Sequence, residues 1–392
     1  NYPEEWKYRN TEILNRIMLP FYNAYEKELN ERGAIDFTDC ILKATDICSK
    51  GKRHNYKYIL VDEFQDISVD RYKLLQSLRT EQPLTKLFCV GDDWQSIYRF
   101  SGSDMSLFND FEKYFGFTEK CKIETTYRFF NPLINLSSKF ILANPAQVKK
   151  DVHPYTESKH TDLSFHAYSA FCGVDKDLTE LNLIESIFLK IPKDESILFL
   201  GRYGYDAKII TDKISEDNKS IELNLFGRNV KFMTVHSAKG LEADNVIILN
   251  CNSGIHGFPS LIADDPILDL VLANADAYEN AEERRVFYVA ITRAKKHTYV
   301  LFDKKRPSVF IDDFIPPVEE GAHLCPICKD GQIELGFKGT ARNGNVYRIY
   351  NCSNRSAECP FNDRRWGDDD KDIPGIDTTG MTMEDINKLI KG

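Results

Sequence analysis

Short apolar runs closed by acids, glycines or turn residues recur along this 392-residue chain, and stretches with helical spacing separate them. The clearest run is Ile59-Leu60-Val61, which reads as a strand buried on both faces and ends abruptly in Asp62-Glu63. Before it, Ile13, Ile17, Phe21 and Tyr25 mark one face of a helix over 12–32, and Ala34-Ile35-Asp36-Phe37-Thr38-Asp39 starts a second helix with an Asp or Thr available as cap. After it come an amphipathic helix over 69–78, a strand over 84–90, a helix over 105–115 and a strand over 122–126. The alternation then restarts, with strands over 163–168, 196–200, 230–234, 246–249 and 298–302 and helices over 178–189 and 281–292. Buried strands alternating with helices predict a doubly wound α/β fold with parallel sheets. The predicted organisation is two α/β units (1–145 and 146–303), a linker rich in Pro and charge (304–323), a cysteine-bearing module (324–367), and an acidic tail with a short helix (368–392).

Composition narrows the class. Hydrophobic residues make up 42% of the chain, and no apolar run is long enough to cross a bilayer, so no membrane partner is expected. Asn1-Tyr2-Pro3-Glu4-Glu5 lacks the basic start and apolar stretch of a signal peptide, and six of the ten Cys are scattered as in a reducing compartment; the cytoplasm is the expected location. The first residue is not Met, so the chain is expected to start inside a longer product. A net charge of −9 leaves nucleic-acid binding to a local patch rather than to the bulk charge.

Two constellations carry chemistry. Asp62 and Glu63 fall at the carboxyl edge of a parallel sheet, where open α/β folds place ligands. One carboxylate there can hold Mg²⁺ while its neighbour polarises a water for attack on a phosphate. Near the end, Cys325, Cys328, Cys352 and Cys359 form a Cys-x₂-Cys-x₂₃-Cys-x₆-Cys series, which suits a closed tetrahedral structural Zn²⁺ site. Tyr347, Arg348, Arg365 and Trp366 surround these thiols, and basic residues interleaved with aromatics suit single-stranded DNA.

Five stretches, in order, resemble the superfamily 1 DNA helicases of the UvrD/Rep type, most closely the helicase IV branch. Asp62-Glu63-Phe64-Gln65-Asp66 is similar to the Walker B box. The stretch from Gly91 to Phe100 is similar to motif III, Glu124-Thr125-Thr126-Tyr127-Arg128 to motif IV, the stretch from Thr234 to Glu242 to motif V, and that from Glu282 to Ala294 to motif VI. The match spans about residues 35–303. The resemblance implies two RecA-like parallel-sheet motor lobes, the first incomplete; separately, Cys352-Ser353-Asn354 with the later Cys359-Pro360 resembles the small zinc ribbon that ends type IA topoisomerases. It implies ATP and Mg²⁺ as cofactors besides the structural Zn²⁺, and 3′→5′ movement on single-stranded DNA and duplex–single-strand junctions. By resemblance Asp62 holds Mg²⁺ through water and Glu63 is the general base. Gln95 senses the γ-phosphate, and Arg128 and Arg293 clamp it. Tyr127 stacks on adenine and Glu242 accepts from the ribose. Tyr98 and Phe100 are the candidate base-stacking residues, with Arg99, Thr234 and His236 along the strand.

The pattern also departs from the family. Relatives carry Trp-Arg-Gly where Phe100-Ser101-Gly102 stands, which weakens the expected strand contact. The sequence holds no Gly-x-x-x-x-Gly-Lys-Ser/Thr phosphate loop; Ser237-Ala238-Lys239-Gly240 belongs to motif V. The chain therefore reads as a carboxyl-terminal portion of a helicase, inefficient in hydrolysis by itself. Only about 105 residues separate motifs IV and V, so the inserted subdomain of larger relatives is reduced. The rival reading is a non-catalytic, helicase-derived DNA-binding scaffold, favoured by the missing loop and opposed by the retention of Glu63, Gln95, Arg128 and Arg293.

Overall fold

The computed structural model describes residues 4–51, 55–79, 84–168, 179–212, 220–262, 268, 272–273, 276–314, 333–340, 346–352 and 362–366. Residues up to Phe314 form one unit and Ile315–Gly392 a second.

The chain begins with α1 (Glu4–Arg32) and α2 (Phe37–Ser49). Asp36 caps α2, its carboxylate accepting from Asp39 N at 2.7 Å. β1 (Tyr58–Val61) then pairs in parallel with β2 (Lys86–Cys89) across α3 (Val69–Arg79), with Ile59 opposite Leu87. One face of this two-stranded sheet packs on Phe64, Leu75 and Leu107. Phe64 meets the Phe111 ring edge-on at 5.2 Å. The other face is open: Leu60 is 72% and Phe88 61% exposed. This corrects the expectation of a strand buried on both faces, because among the described residues nothing covers that side. The apolar stripe of α1 is likewise exposed at Ile13, Ile17, Phe21 and Tyr25. The helix expected over 105–115 breaks at Asp110 into α4 (Ser106–Asn109) and α5 (Phe111–Phe115). Of the strand expected over 122–126 only β3 (Thr125–Thr126) forms; it precedes α6 (Leu133–Ile141) and pairs with β4 (His153–Pro154).

The remainder of the first unit builds β5 (Asp162–Tyr168), α7 (Glu180–Lys190), β6 (Ile197–Gly201), β7 (Ile221–Leu225), β8 (Arg228–Thr234), β9 (Ala243–Ile248), α8 (Ala281–Ile291) and β10 (Ala294–Asp303). The sheet order is β5-β10-β9-β6-β8-β7, all parallel except the β7–β8 hairpin. That hairpin turns at Phe226-Gly227, both with positive φ (50° and 76°), as a two-residue primed turn needs. Alternate residues of the buried strands feed two cores. Leu198, Val246 and Val300 meet Val286 and Phe287 of α8 on one face, whereas Phe199, Ile247 and Leu301 meet Ile184 and Phe188 of α7 on the other. Phe129, Leu133 and Phe140, which the sequence reading placed in the first lobe, pack into the α8-side core. Residues from 304 were expected to be linker, yet Phe310 and Ile311 are buried in that same core.

In the second unit, β11 (Ile333–Thr340), β12 (Val346–Cys352) and β13 (Asn362–Trp366) form an antiparallel sheet. Cys325, Cys328, Cys359 and the tail over 368–392 lie outside the described residues, while Cys352 is buried at the end of β12. Among the described residues no helix is long and apolar enough to cross a membrane.

Candidate functional site

The chain turns sharply where β1 ends. Glu63 adopts the left-handed conformation (φ 49°, ψ 41°), a strained backbone state that clusters at working sites. The Asp62 carboxylate accepts from Glu63 N at 2.9 Å, and both side chains stay exposed. Behind them Gln65 is fully buried; its Nε2 donates to Glu63 Oε2 at 2.5 Å and its Oε1 accepts from Asp92 N at 2.9 Å. A Cβ on Gly91 would stand 2.6 Å from that Oε1, so the close approach of β1's and β2's ends requires glycine there. Asp92 accepts from Gln95 Nε2 at 2.7 Å and pairs with Lys150, which also reaches buried Asp93 at 2.7 Å.

Four cations converge on this end, Arg293, Lys239 and Lys295 from the six-stranded sheet and its loops and Arg128 from the segment after β3. Arg293, 1% exposed at the end of α8, donates from Nη2 to Gln95 Oε1 at 3.1 Å and from Nε to Val289 O at 2.9 Å. Burial, then nearby Arg128, push it down to about 10, so it stays charged at neutral pH. Lys239 pairs with Asp66, donates to the Gln95 carbonyl at 2.8 Å, lies 3.7 Å from Glu63 Oε2 and sits 5.1 Å from the Tyr98 ring centre. Burial raises Asp66 against the opposing pull of Lys239. Arg128 donates to Glu242 at 3.3 Å, and Lys295 pairs with the same carboxylate at 2.6 Å; Lys295 foremost holds Glu242 below the usual range. Tyr127 is exposed and stacks on Tyr155 at 4.9 Å. A cleft of about 1050 Å³ is lined by Asp92, Gln95, Tyr127, Arg128, Glu242 and Lys295, and by residues 87–90 and 118–126.

On the other side of Lys239 lie the expected strand-binding residues. Tyr98 is half-buried against the core and donates its hydroxyl to His236 O at 2.8 Å. Phe100 is 61% exposed and meets the His236 ring edge-on at 5.5 Å. Thr234 Oγ1 caps the following turn, accepting from Ser237 N at 3.3 Å. Arg99 points elsewhere: its Nε donates to Ala273 O at 2.9 Å and its backbone N to Glu282 at 3.3 Å.

The structure thus gathers Glu63, Gln95 and Arg293 through direct or one-step contacts, with Tyr98, Phe100 and His236 adjoining them through Lys239, and it ties Arg128 to Glu242. Gln65, Lys150, Lys239 and Lys295 were not singled out from sequence. Gln65 and Lys239 stand inside the quoted motifs, and that position was the available signal. Exposed carboxylate oxygens at Asp62 and Glu63 are donors of the kind Mg²⁺ takes. Four thiolates are the donors Zn²⁺ takes, but only Cys352 of the four is described, and among the described residues no cluster of three His, Cys, Asp or Glu is arranged to hold a metal.

Residues 2–116 match the family model of the UvrD/REP helicase N-terminal domain, and residues 207–305 that of the UvrD-like helicase C-terminal domain. DNA helicase IV of Escherichia coli is 36% identical over 299 residues, covering 76% of this chain and 41% of that protein. A probable DNA helicase of Mycoplasma pneumoniae is 27% identical over 290 residues, covering 71% and 50%. A putative ATP-dependent DNA helicase of Bacillus subtilis is 28% identical over 195 residues, covering 47% and 24%. The chain spans half or less of the length of these relatives.

Proposed function

We infer, from a chain whose α/β portions belong to the UvrD-like superfamily 1 helicases, that it forms part of an ATP-driven motor moving 3′→5′ along single-stranded DNA. The observation that carries this reading is the contact of Arg293 with Gln95 beside the Glu63–Lys239 pair. It places a cation of the six-stranded lobe against the acid end of the two-stranded lobe, as a γ-phosphate clamp requires.

In this reading ATP enters the 1050 Å³ cleft. Bound Mg²⁺ would supply charge neutralisation on the phosphates, held by Asp62. Glu63 accepts the proton of the attacking water, positioned from behind by Gln65. Gln95, shared by Asp92 and Arg293, reports the γ-phosphate state to the Tyr98 loop through Lys239. Arg128 faces the phosphates from the cleft wall and Arg293 backs them through Gln95, with Tyr127 toward the adenine and Glu242 toward the ribose. DNA runs past Phe100 and His236, with duplex–single-strand junctions as the working substrate. A zinc ribbon built on Cys325, Cys328, Cys352 and Cys359 adds a second grip on the strand.

The test is ATP hydrolysis with and without single-stranded DNA by the gene product that includes a phosphate loop, with Glu63→Gln as control. Expected is DNA-stimulated hydrolysis that the control lowers about 10²–10⁴-fold. Hydrolysis by neither protein, with DNA bound, would establish the scaffold reading instead.

A further inference from the structure

The six-stranded lobe carries a ring cluster that the roles above leave unused. Gly201 at the end of β6 is paired with Thr234 at the end of β8, so the loops after these strands leave the sheet side by side. The β8 loop carries His236; the β6 loop carries Arg202, Tyr203 and Tyr205. The two loops are electrostatic neighbours, since Arg202 helps depress the His236 imidazolium.

The rings are held in place before any ligand arrives. Tyr203 and Tyr205 stack at 5.0 Å with only 10° between their planes, and the Arg202 guanidinium lies 5.0 Å from the Tyr203 ring centre. His256 meets both tyrosines edge-on, at 5.8 and 6.0 Å. Arg202 is fixed by two bonds from Nε and one from Nη2 to Glu283, and Tyr203 by a 2.6 Å bond between its hydroxyl and Ser260 Oγ. Beneath the turn, buried Asp206 accepts from Tyr203 N at 2.8 Å and from Asn250 Nδ2 at 2.9 Å. Tyr203 is thereby held against both Arg202 and Tyr205. Tyr205 remains exposed, as do His256 and Ile255 beside it. Burial, with Asp206 nearby, pushes the Tyr205 hydroxyl up to about 12, so the ring is neutral at any physiological pH.

We propose that Tyr205 is a second stacking platform for a base of single-stranded DNA, continuing the line from Phe100 and His236 along the edge of the six-stranded sheet. The proposal rests on the nucleic-acid reading given above. A base offers a flat π-face whatever its sequence, and a neutral ring already braced by a parallel neighbour loses little freedom when a base stacks on it. The adjacency of the β6 and β8 loops supplies the continuity: a strand leaving His236 meets Arg202 and the tyrosine pair next.

The test uses this chain and fluorescently labelled oligo-dT of about 12 nucleotides, within the usual site size for such grooves, together with a set of the same oligomers carrying one abasic position each. Anisotropy titration is expected to show Tyr205→Ala weakening oligo-dT binding about tenfold, with Tyr205→Phe retaining it. For one abasic position, wild type and Tyr205→Ala should bind alike, because the base that stacks is already gone. The inference is overturned if Tyr205→Ala binds oligo-dT as wild type does while Phe100→Ala is weakened, or if its deficit persists at every abasic position, as a merely structural role or a protein-docking surface would give. If wild type binds no oligomer at all, the nucleic-acid reading falls and takes this inference with it.

Discussion

Lys239 and Glu63 face each other across the two lobes, ammonium to carboxylate at 3.7 Å, while the same ammonium is ion-paired to Asp66 and packed over the Tyr98 ring. One buried charge therefore touches the proposed hydrolytic acid and the proposed strand-binding loop. Removing one partner of a buried pair costs more than removing both, because the survivor keeps its desolvation penalty. Lys239→Met is expected to destabilise the chain by about 3 kcal/mol, read from the urea midpoint. Lys239→Met with Asp66→Asn should recover most of that loss. Additive losses in this double-mutant cycle would show the two residues to be uncoupled.

Gln65 is fully buried with both ends of its amide engaged, on Glu63 and on Asp92 N. Gln65→Leu leaves the Asp92 N–H without its acceptor and frees the Glu63 carboxylate. A cost of about 1–3 kcal/mol is expected in stability. In the hydrolysing gene product, kcat should fall with KM little changed, since Gln65 positions the acid and does not bind nucleotide.

The alternation of apolar runs and helical stretches was enough to find nearly every strand of the six-stranded sheet, because strands buried on both faces, such as β6, leave an unbroken apolar signature. The β7–β8 hairpin was half missed: Glu222 and Asn224 alternate with apolar residues at the sheet edge, and Phe226-Gly227 is an unusual turn pair. Periodicity also could not say what covers a face, so β1 read as doubly buried although Leu60 is open. In the site, motif order supplied Glu63, Gln95 and Arg293. The pairing of Arg128 with Glu242 was invisible, because 114 residues and the lobe boundary separate the two. Arg99 looked like a strand contact by position, but its side chain turns inward to a carbonyl that no local rule could have named.

His236 gives the molecule an acid sensitivity. Burial, with Arg202 and Lys239 nearby, pushes it from 6.5 down to about 4. The unfolded chain therefore binds a proton that the folded chain refuses between those values, so this contribution to stability is complete above about pH 6.5 and is lost as pH falls toward 4. Glu180, raised to about 7 chiefly by burial, works in the opposite sense over part of the same range. His236→Gln isolates the histidine: its denaturation midpoint should fall less steeply than that of wild type from pH 6.5 to 4.5. Parallel curves would count against a half-buried imidazole held neutral.

The four-thiolate reading predicts stoichiometric metal. Purified protein should hold one zinc per chain by elemental analysis, and Cys352→Ser, altering the buried residue at the end of β12, should lower that content. Chelation is expected to melt the antiparallel sheet while leaving the circular dichroism of the α/β unit in place. Zinc-free protein with an unchanged sheet would refute a structural metal.

The open face of β1 and β2 has a kinetic meaning as well. A ribbon of two parallel strands with large apolar groups in water has few packed neighbours to hold its amides closed, whereas β6 sits between two partners with both faces covered. Amide hydrogen exchange should therefore divide the unit sharply. Protons of β1 and β2 exchange through local opening well below the global unfolding free energy, while those of β6 and β9 wait for the whole unit to unfold. The acid end that the proposed hydrolysis depends on is thus mounted on a sheet with one face open among the described residues, and whatever comes to lie against that sheet sets how long Asp62 and Glu63 hold their places.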